Sequence, residues 1–200
     1  KDLYQGPMFM DCIKGHDPMT HMDPVWRGHM WGTWGVDKRG VKPTQTPFVI
    51  PMHGLGMFSC KTDQWLGFNK DFIGFGGEEG YIHEKYRKNN RQCWCLPFFR
   101  WLHRFGRPRG VPYPLNLEHR IFNYVIGFKE LGLDCDPIVE HFGKETPSVN
   151  VQSIINDPEA AKRKYYLTNG LVNPKDVPEL PDLDMDAILK ENNIVLDLPK

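Results

Sequence analysis

The stretch Phe72-Ile73-Gly74-Phe75-Gly76-Gly77-Glu78-Glu79 decides how the middle of this chain folds. Paired glycines allow a tight turn in which the backbone approaches a neighbouring group closely. Two carboxylates directly after such a turn suit the positive end of a helix dipole. The sequence therefore predicts a turn at Gly76-Gly77 and a helix from Glu78 to about Lys88.

The two carboxylates are also the clearest candidates for chemistry. Adjacent helical residues point about 100° apart, so Glu78 and Glu79 cannot perform the same task. One carboxylate would face a pocket and accept a proton, while the other would bind a substrate hydroxyl or cap the helix. On these residues alone, the alternative that both only cap the helix stays open.

Related motifs lie on both sides of this stretch, and together they span residues 54–108. They are Gly54-Leu55-Gly56-Met57-Phe58, Trp65-Leu66-Gly67-Phe68-Asn69 and Trp101-Leu102-His103-Arg104-Phe105. In this order they resemble the C-terminal, acceptor-side half of glycosyltransferases with the GT-A fold. The comparison is with glycosyltransferase family 2, the β-1,4-galactosyltransferases and the polypeptide N-acetylgalactosaminyltransferases.

The resemblance implies transfer of a sugar from a nucleotide-sugar to an acceptor hydroxyl, with inversion. It implies that Glu79 is the catalytic base and that Glu78 binds the donor or acceptor sugar. Gly76 and Gly77 would form a backbone wall beside the substrate. His103 would be a ligand of Mn²⁺ or Mg²⁺, the cofactor expected from the family.

One departure from the family affects both the domain organisation and the function. No D-x-D motif precedes the matching block, and Asp182-Leu183-Asp184 and Asp184-Met185-Asp186 lie far downstream of it. We expect residues 1–145 to be the C-terminal half of such a domain, without its nucleotide-binding half. Residues 146–200 are expected to form a C-terminal extension with helical and extended parts. A non-catalytic binding or scaffold module, and more weakly a nucleic-acid-binding domain, are the alternatives.

Aromatic residues supply the other candidates for sugar binding, because an aromatic plane stacks on the apolar face of a sugar ring. The alternative for each of them is packing in the core. The candidates are Trp31, Trp34, Trp65 and Phe75.

A basic segment runs from Lys85 to Arg109 and contains no acidic residue. Arg100, Arg104 and Arg107 are the candidates for holding the phosphates of a nucleotide-sugar. A solvated basic face is the alternative, and nucleic acid is not the expected partner.

Composition excludes several classes of protein. Lys plus Arg equals Asp plus Glu at 25 each, and 40% of the residues are hydrophobic, which excludes a disordered chain, collagen or a coiled coil. No stretch approaches the roughly 18 apolar residues of a membrane span. Five cysteines with one C-x-C pair form neither a disulfide framework nor a zinc pattern. We therefore expect reduced thiols and a cytoplasmic location.

The remaining pattern predicts an α/β fold with a mixed sheet, helices and an extended C-terminal tail. Strands are expected at residues 47–50 and 57–60, and at Cys93–Cys95. Helices are expected after Asn116, ending at Gly132, and from Asp157-Pro158 onward.

The two ends of the chain have fewer regular patterns. Residues 1–45, interrupted by prolines, are expected to form loops and short helices. The group His16, Asp17, His21 and Asp23 has no regular ligand spacing and is interpreted as loop. Residues 170–200 are expected to be an extended tail with a short helix near residues 185–192, and this tail is the candidate contact for a protein partner.

Overall fold

The computed structural model describes residues 1–111, 113 and 115–168, and it is an α/β fold. The predictions for the tail at residues 170–200, including its short helix and its protein contact, lie outside this range. Seven strands are described: β1 (Leu3–Gln5), β2 (Met8–Met10), β3 (His21–Arg27), β4 (Met30–Gly35), β5 (Phe48–Val49), β6 (Cys93–Cys95) and β7 (Trp101–His103). The α-helices are α1 (Lys38–Val41), α2 (Glu78–Lys88), α3 (Leu117–Glu130), α4 (Asp136–Glu145), α5 (Val151–Asn156) and α6 (Pro158–Thr168).

The strands form three small sheets. In the largest, with the order β1-β6-β5, β1 runs parallel to β6 and β5 runs antiparallel to it, which confirms the expected mixed sheet. β2 and β7 pair in parallel, and β3 and β4 form an antiparallel hairpin. The predicted strand at residues 47–50 is β5, whereas residues 57–60 contribute only a single bridge between Ser59 and Tyr4.

The prediction for residues 1–45 was wrong, because this segment contains four of the described strands. β1 and β2 have three residues each, too short to show a period of two in the sequence, and their parallel partners lie about 90 residues later in the chain. In β3, the pairing register shifts between Asp23 and Trp26, where Pro24 occupies the irregularity. Proline tolerates such a position because it has no N–H to donate to the ladder.

Local signals placed the two central helices correctly. Helix α2 begins at Glu78 after Gly77 and ends at Lys88. The side chain of Asn116 accepts a hydrogen bond from the N–H of His119 and caps α3. Gly132, with a φ of +61°, follows the end of that helix. A Cβ atom at Gly127 of α3 would lie 3.0 Å from the ring of Tyr81 in α2, so the two helices pack closely.

Two groups of buried side chains form the core. One joins α3 to α4, α5 and the aromatic residues of the β3–β4 hairpin, and the other lies between α2 and the three-stranded sheet. Cys93 and Cys95 are buried on β6, as expected, and all five cysteines are free. None of the helices in the described part of the chain is long and apolar enough to cross a membrane.

Candidate functional site

The turn before α2 brings the backbone against α3. Gly76 and Gly77 have φ values of +105° and +96°, which L side chains rarely adopt. A Cβ atom at Gly76 would lie 2.4 Å from Nε of Arg120, and one at Gly77 would lie 3.1 Å from Cβ of Asn123. The backbone conformation therefore favours glycine at both positions, and at Gly76 the close approach of Arg120 also leaves no room for a Cβ atom.

Asn123 fixes the position of this turn. Its buried side chain accepts a hydrogen bond from the N–H of Ile73 at 2.9 Å. Its amide group donates to the carbonyl oxygens of Ile73 and Gly76 at 2.9 and 2.8 Å. Three hydrogen bonds from one side chain therefore determine where α2 begins and where its first carboxylates lie.

Glu78 and Glu79 occupy the first turn of α2. Burial, with a further contribution from the charge of Glu78, raises the pKa of Glu79 to about 7. The hydrogen bond from its own backbone N–H and the charge of Arg120 oppose this rise. A carboxyl group with a pKa near neutrality is suited to accept a proton from a substrate.

The β3–β4 hairpin lies over the same helix end. The ring of Trp31 packs on Gly80, where a Cβ atom would be 2.3 Å from the ring. The hydroxyl of Tyr124 accepts a hydrogen bond from the backbone N–H of Trp31 at 2.9 Å. The hairpin, the start of α2 and α3 therefore meet around Glu79, and we call Gly76–Glu79 with Trp31, Arg120, Asn123 and Tyr124 the carboxylate site.

Phe75 connects the carboxylate site to a second feature. Its ring stacks on Tyr113 with centroids 5.0 Å apart, and the guanidinium of Arg120 lies 5.9 Å from its centre. Arg107 donates a hydrogen bond to the hydroxyl of Tyr113 at 3.3 Å. The aromatic pair thus extends from the carboxylate site to the basic segment.

That second feature is an open cleft of about 670 Å³, which we call the basic cleft. Arg104, Arg107 and Arg109 are exposed there and form no ion pair with any residue that the structure describes. The cleft is lined by Gly56, Trp101–Arg104 and residues 106–110. Three unpaired guanidinium groups around an open space suit an anion such as a diphosphate.

His103 lies in the wall of the basic cleft. Its ring stacks on Phe105 with centroids 3.7 Å apart, and its buried Nδ1 has no hydrogen-bond partner. Burial, together with the charge of Arg107, lowers the pKa of His103 and favours the neutral imidazole. A neutral imidazole can act as a single metal ligand.

The described residues do not supply a complete metal site. Among them, no group of three His, Cys, Asp or Glu side chains is placed to hold an ion. The carboxylate of Asp11, near His103, already accepts hydrogen bonds from the N–H groups of Phe105 and Gly106. An ion at His103 would therefore need most of its ligands from a bound substrate.

The other predicted residues lie outside these two features. Arg100 donates to the carbonyl oxygens of Pro97, Gly40 and Val41, so its guanidinium holds α1 and does not line the cleft. Trp34 packs on Gly54.

Trp65 belongs to an aromatic cluster with Phe58, Phe68 and Tyr86, on the side of α2 that faces the three-stranded sheet. Of the four aromatic candidates, only Trp31 and Phe75 contact the residues of the carboxylate site.

A buried pair of histidines, His53 and His83, contacts the backbone at the start of α2. It was not identified from the sequence. Nδ1 of His83 lies 2.6 Å from the backbone carbonyl oxygen of Glu79, and its Nε2 lies 2.6 Å from Oε1 of Gln5 and 3.2 Å from the backbone nitrogen of His53. Burial lowers their pKa values to about 3 for His83 and about 4 for His53, so both are neutral at pH 7.

Arg120, Asn123 and Tyr124 were also missed. Their spacing of three and four residues places them on one face of α3. A polar Asn beside the apolar positions of that helix was the only available signal.

Comparison with known proteins adds no assignment, since neither a protein-family model nor a curated protein sequence matches this chain.

Proposed function

We propose that this chain is the acceptor-side portion of a glycosyltransferase, which transfers a sugar from a nucleotide-sugar to an acceptor hydroxyl with inversion. The observation that carries the proposal is the Glu79 carboxyl, which a rigid glycine turn holds at the start of α2. Phe75 and Tyr113 connect that carboxyl to a cleft with three unpaired arginines. Sugar transfer from a diphosphate requires both a proton acceptor and an anion site, and Phe75 and Tyr113 link the two in this chain.

In this reaction the acceptor oxygen attacks the anomeric carbon while Glu79 takes the hydroxyl proton. The bond from the anomeric carbon to the diphosphate oxygen breaks, and the diphosphate leaves with the electron pair. Arg104 and Arg107 would stabilise the charge that develops on the leaving group. Glu78 would bind a sugar hydroxyl, and Trp31 and Phe75 would contact apolar sugar faces.

Mn²⁺ or Mg²⁺ remains part of the proposal, with His103 as one ligand. When bound, the ion would add positive charge at the diphosphate.

Calorimetric titration with UDP, with and without Mn²⁺, tests the anion site. We expect UDP to bind more tightly with Mn²⁺. Arg107→Ala should weaken UDP binding by roughly 10- to 150-fold, since one charged hydrogen bond contributes about 1.5–3 kcal/mol. Lys88→Ala, exposed at the other end of α2, is the matched control and should bind as the unaltered protein does. If UDP does not bind under either condition, the nucleotide-sugar proposal is wrong, and a binding or scaffold module becomes the better interpretation.

The pH dependence of transfer tests the base separately. With a Glu79 pKa of about 7, the ionised and active form dominates above neutral pH, so kcat/KM should fall about tenfold per pH unit below 7. Glu78→Gln removes a negative charge that raises this pKa and should move the acidic limb to lower pH. A rate that stays constant from pH 5.5 to 8 would contradict the assignment.

A further inference from the structure

The wall of the basic cleft combines unpaired positive charge with exposed apolar surface. Arg104, Arg107 and Arg109 line it, and none of them has a carboxylate within 4.0 Å in the part of the chain that the structure describes. Leu102 on β7 belongs to the same lining and is 63% exposed. The cleft therefore suits an occupant that offers several carboxylates and a few apolar side chains.

The sequence beyond α6 has the complementary composition. Residues 169–200 contain seven acidic and three basic residues, which gives a net charge of −4. Residues 176–186, which we call the acidic segment, contain five acids and no basic residue. The five acids are Asp176, Glu179, Asp182, Asp184 and Asp186, and apolar residues stand between them. The acidic segment thus has both features that the cleft wall lacks a partner for.

The connection from α6 is long enough for the acidic segment to reach the cleft. Lys164, one turn before the end of α6, forms an ion pair with Glu118 in the first turn of α3 at 3.4 Å. Tyr113, five residues before Glu118, accepts a hydrogen bond from Arg107 of the cleft at 3.3 Å. Those five residues span at most about 18 Å, whereas the 14 residues from the end of α6 to Asp182 span up to about 46 Å.

We propose that the acidic segment binds in the basic cleft of its own chain and competes there with the diphosphate of a nucleotide-sugar. The competition rests on the proposed function, whereas the contact itself does not. Carboxylates of the segment would pair with the three guanidinium groups, and Leu180 and Leu183 would cover the exposed surface of Leu102. A single exposed ion pair contributes little, but tethering raises the effective concentration of the segment to about the millimolar range. Several weak pairs are then sufficient to occupy the cleft.

Nitrogen-15 NMR of the full chain without ligand tests the contact directly. The Nε–Hε signals of Arg104, Arg107 and Arg109 are each assigned by their absence in the corresponding Arg→Lys variant. A neutral variant carries Asp182→Asn, Asp184→Asn and Asp186→Asn. The control variant makes the same change in charge at exposed acids of α4 and α6, with Glu140→Gln, Glu145→Gln and Glu159→Gln. We expect the three guanidinium signals to shift in the neutral variant and to stay in place in the control.

Calorimetric titration with UDP then tests the competition. The neutral variant should bind UDP about three- to tenfold more tightly than the unaltered protein, because a tethered competitor has been removed. Unmoved guanidinium signals in the neutral variant overturn the contact. Shifts that disappear on dilution identify the acidic segment of a second copy as the occupant and overturn binding within one chain.

The two measurements separate this inference from the proposed function. Shifted guanidinium signals in a protein that binds no UDP, with or without Mn²⁺, support the contact and overturn the nucleotide-sugar proposal. Shifted signals with an unchanged affinity for UDP overturn the competition.

Discussion

We expect Glu79→Gln to lower sugar transfer by about 10³-fold and to leave the fold intact, because general-base catalysis contributes roughly 10²–10⁴-fold. Glutamine keeps the size of the side chain at the start of α2, but it cannot take the proton of the acceptor hydroxyl. The measurement is product formation by mass spectrometry with a panel of UDP-sugars.

The matched control is Glu84→Gln, one to two turns later on the same helix. Glu84 forms an ion pair with Arg87 at 2.7 Å and lies outside both site features, so its loss should change transfer less than twofold. Transfer by Glu79→Gln at the rate of the unaltered protein would falsify the role of Glu79 as base.

The stability of Glu79→Gln provides a check that does not depend on activity. Because the folded-state pKa of Glu79 is raised to about 7, its carboxyl contributes stability below the unfolded-state pKa of 4.5, and that contribution is lost as the pH rises through 7. Glutamine has no such titration. The free energy of unfolding of the variant should therefore fall less than that of the unaltered protein between pH 5 and 8.

The parts of the fold that the sequence predicted have local causes. Helix α2 follows from a glycine pair and two carboxylates, and α3 follows from an Asn cap and a glycine stop. β1 and β2 have no local cause of this kind. Each has three residues and pairs in parallel with a strand far along the chain. Its register is therefore set by tertiary contacts, which local propensity does not predict.

The residues of the candidate site also fall into two groups, those with a local sequence signal and those that only tertiary contacts identify. Gly76, Gly77 and the carboxylates were recognisable because their types and spacing carry the information. Arg120 can be recognised only from the packing of α3 against the turn. Arg100 shows the opposite error, because the sequence predicted it as a phosphate ligand and it does not line the cleft. Within a run of basic residues, the sequence does not distinguish an arginine that binds backbone carbonyls from one that lines a cleft. The carbonyl partners of Arg100 lie in α1, some 60 residues earlier.

The second large effect is expected at Asn123. Asn123→Ala removes three buried hydrogen bonds and leaves the N–H of Ile73 and two carbonyl oxygens without partners in the interior. At roughly 1 kcal/mol each, we expect the free energy of unfolding to fall by about 3 kcal/mol. Urea denaturation at pH 7 measures this. Asn156→Ala, at an exposed asparagine of α5, should change stability by less than about 0.5 kcal/mol.

The same substitution tests whether the turn matters for chemistry as well as for stability. If the Gly76 carbonyl loses its partner, the turn can move and Glu79 loses its fixed position, so transfer should fall further than the folded fraction does. A loss of less than about 1 kcal/mol would show that the turn holds its own conformation without Asn123. Gly76 and Gly77, both at positive φ, would then be the main determinants of where the base lies.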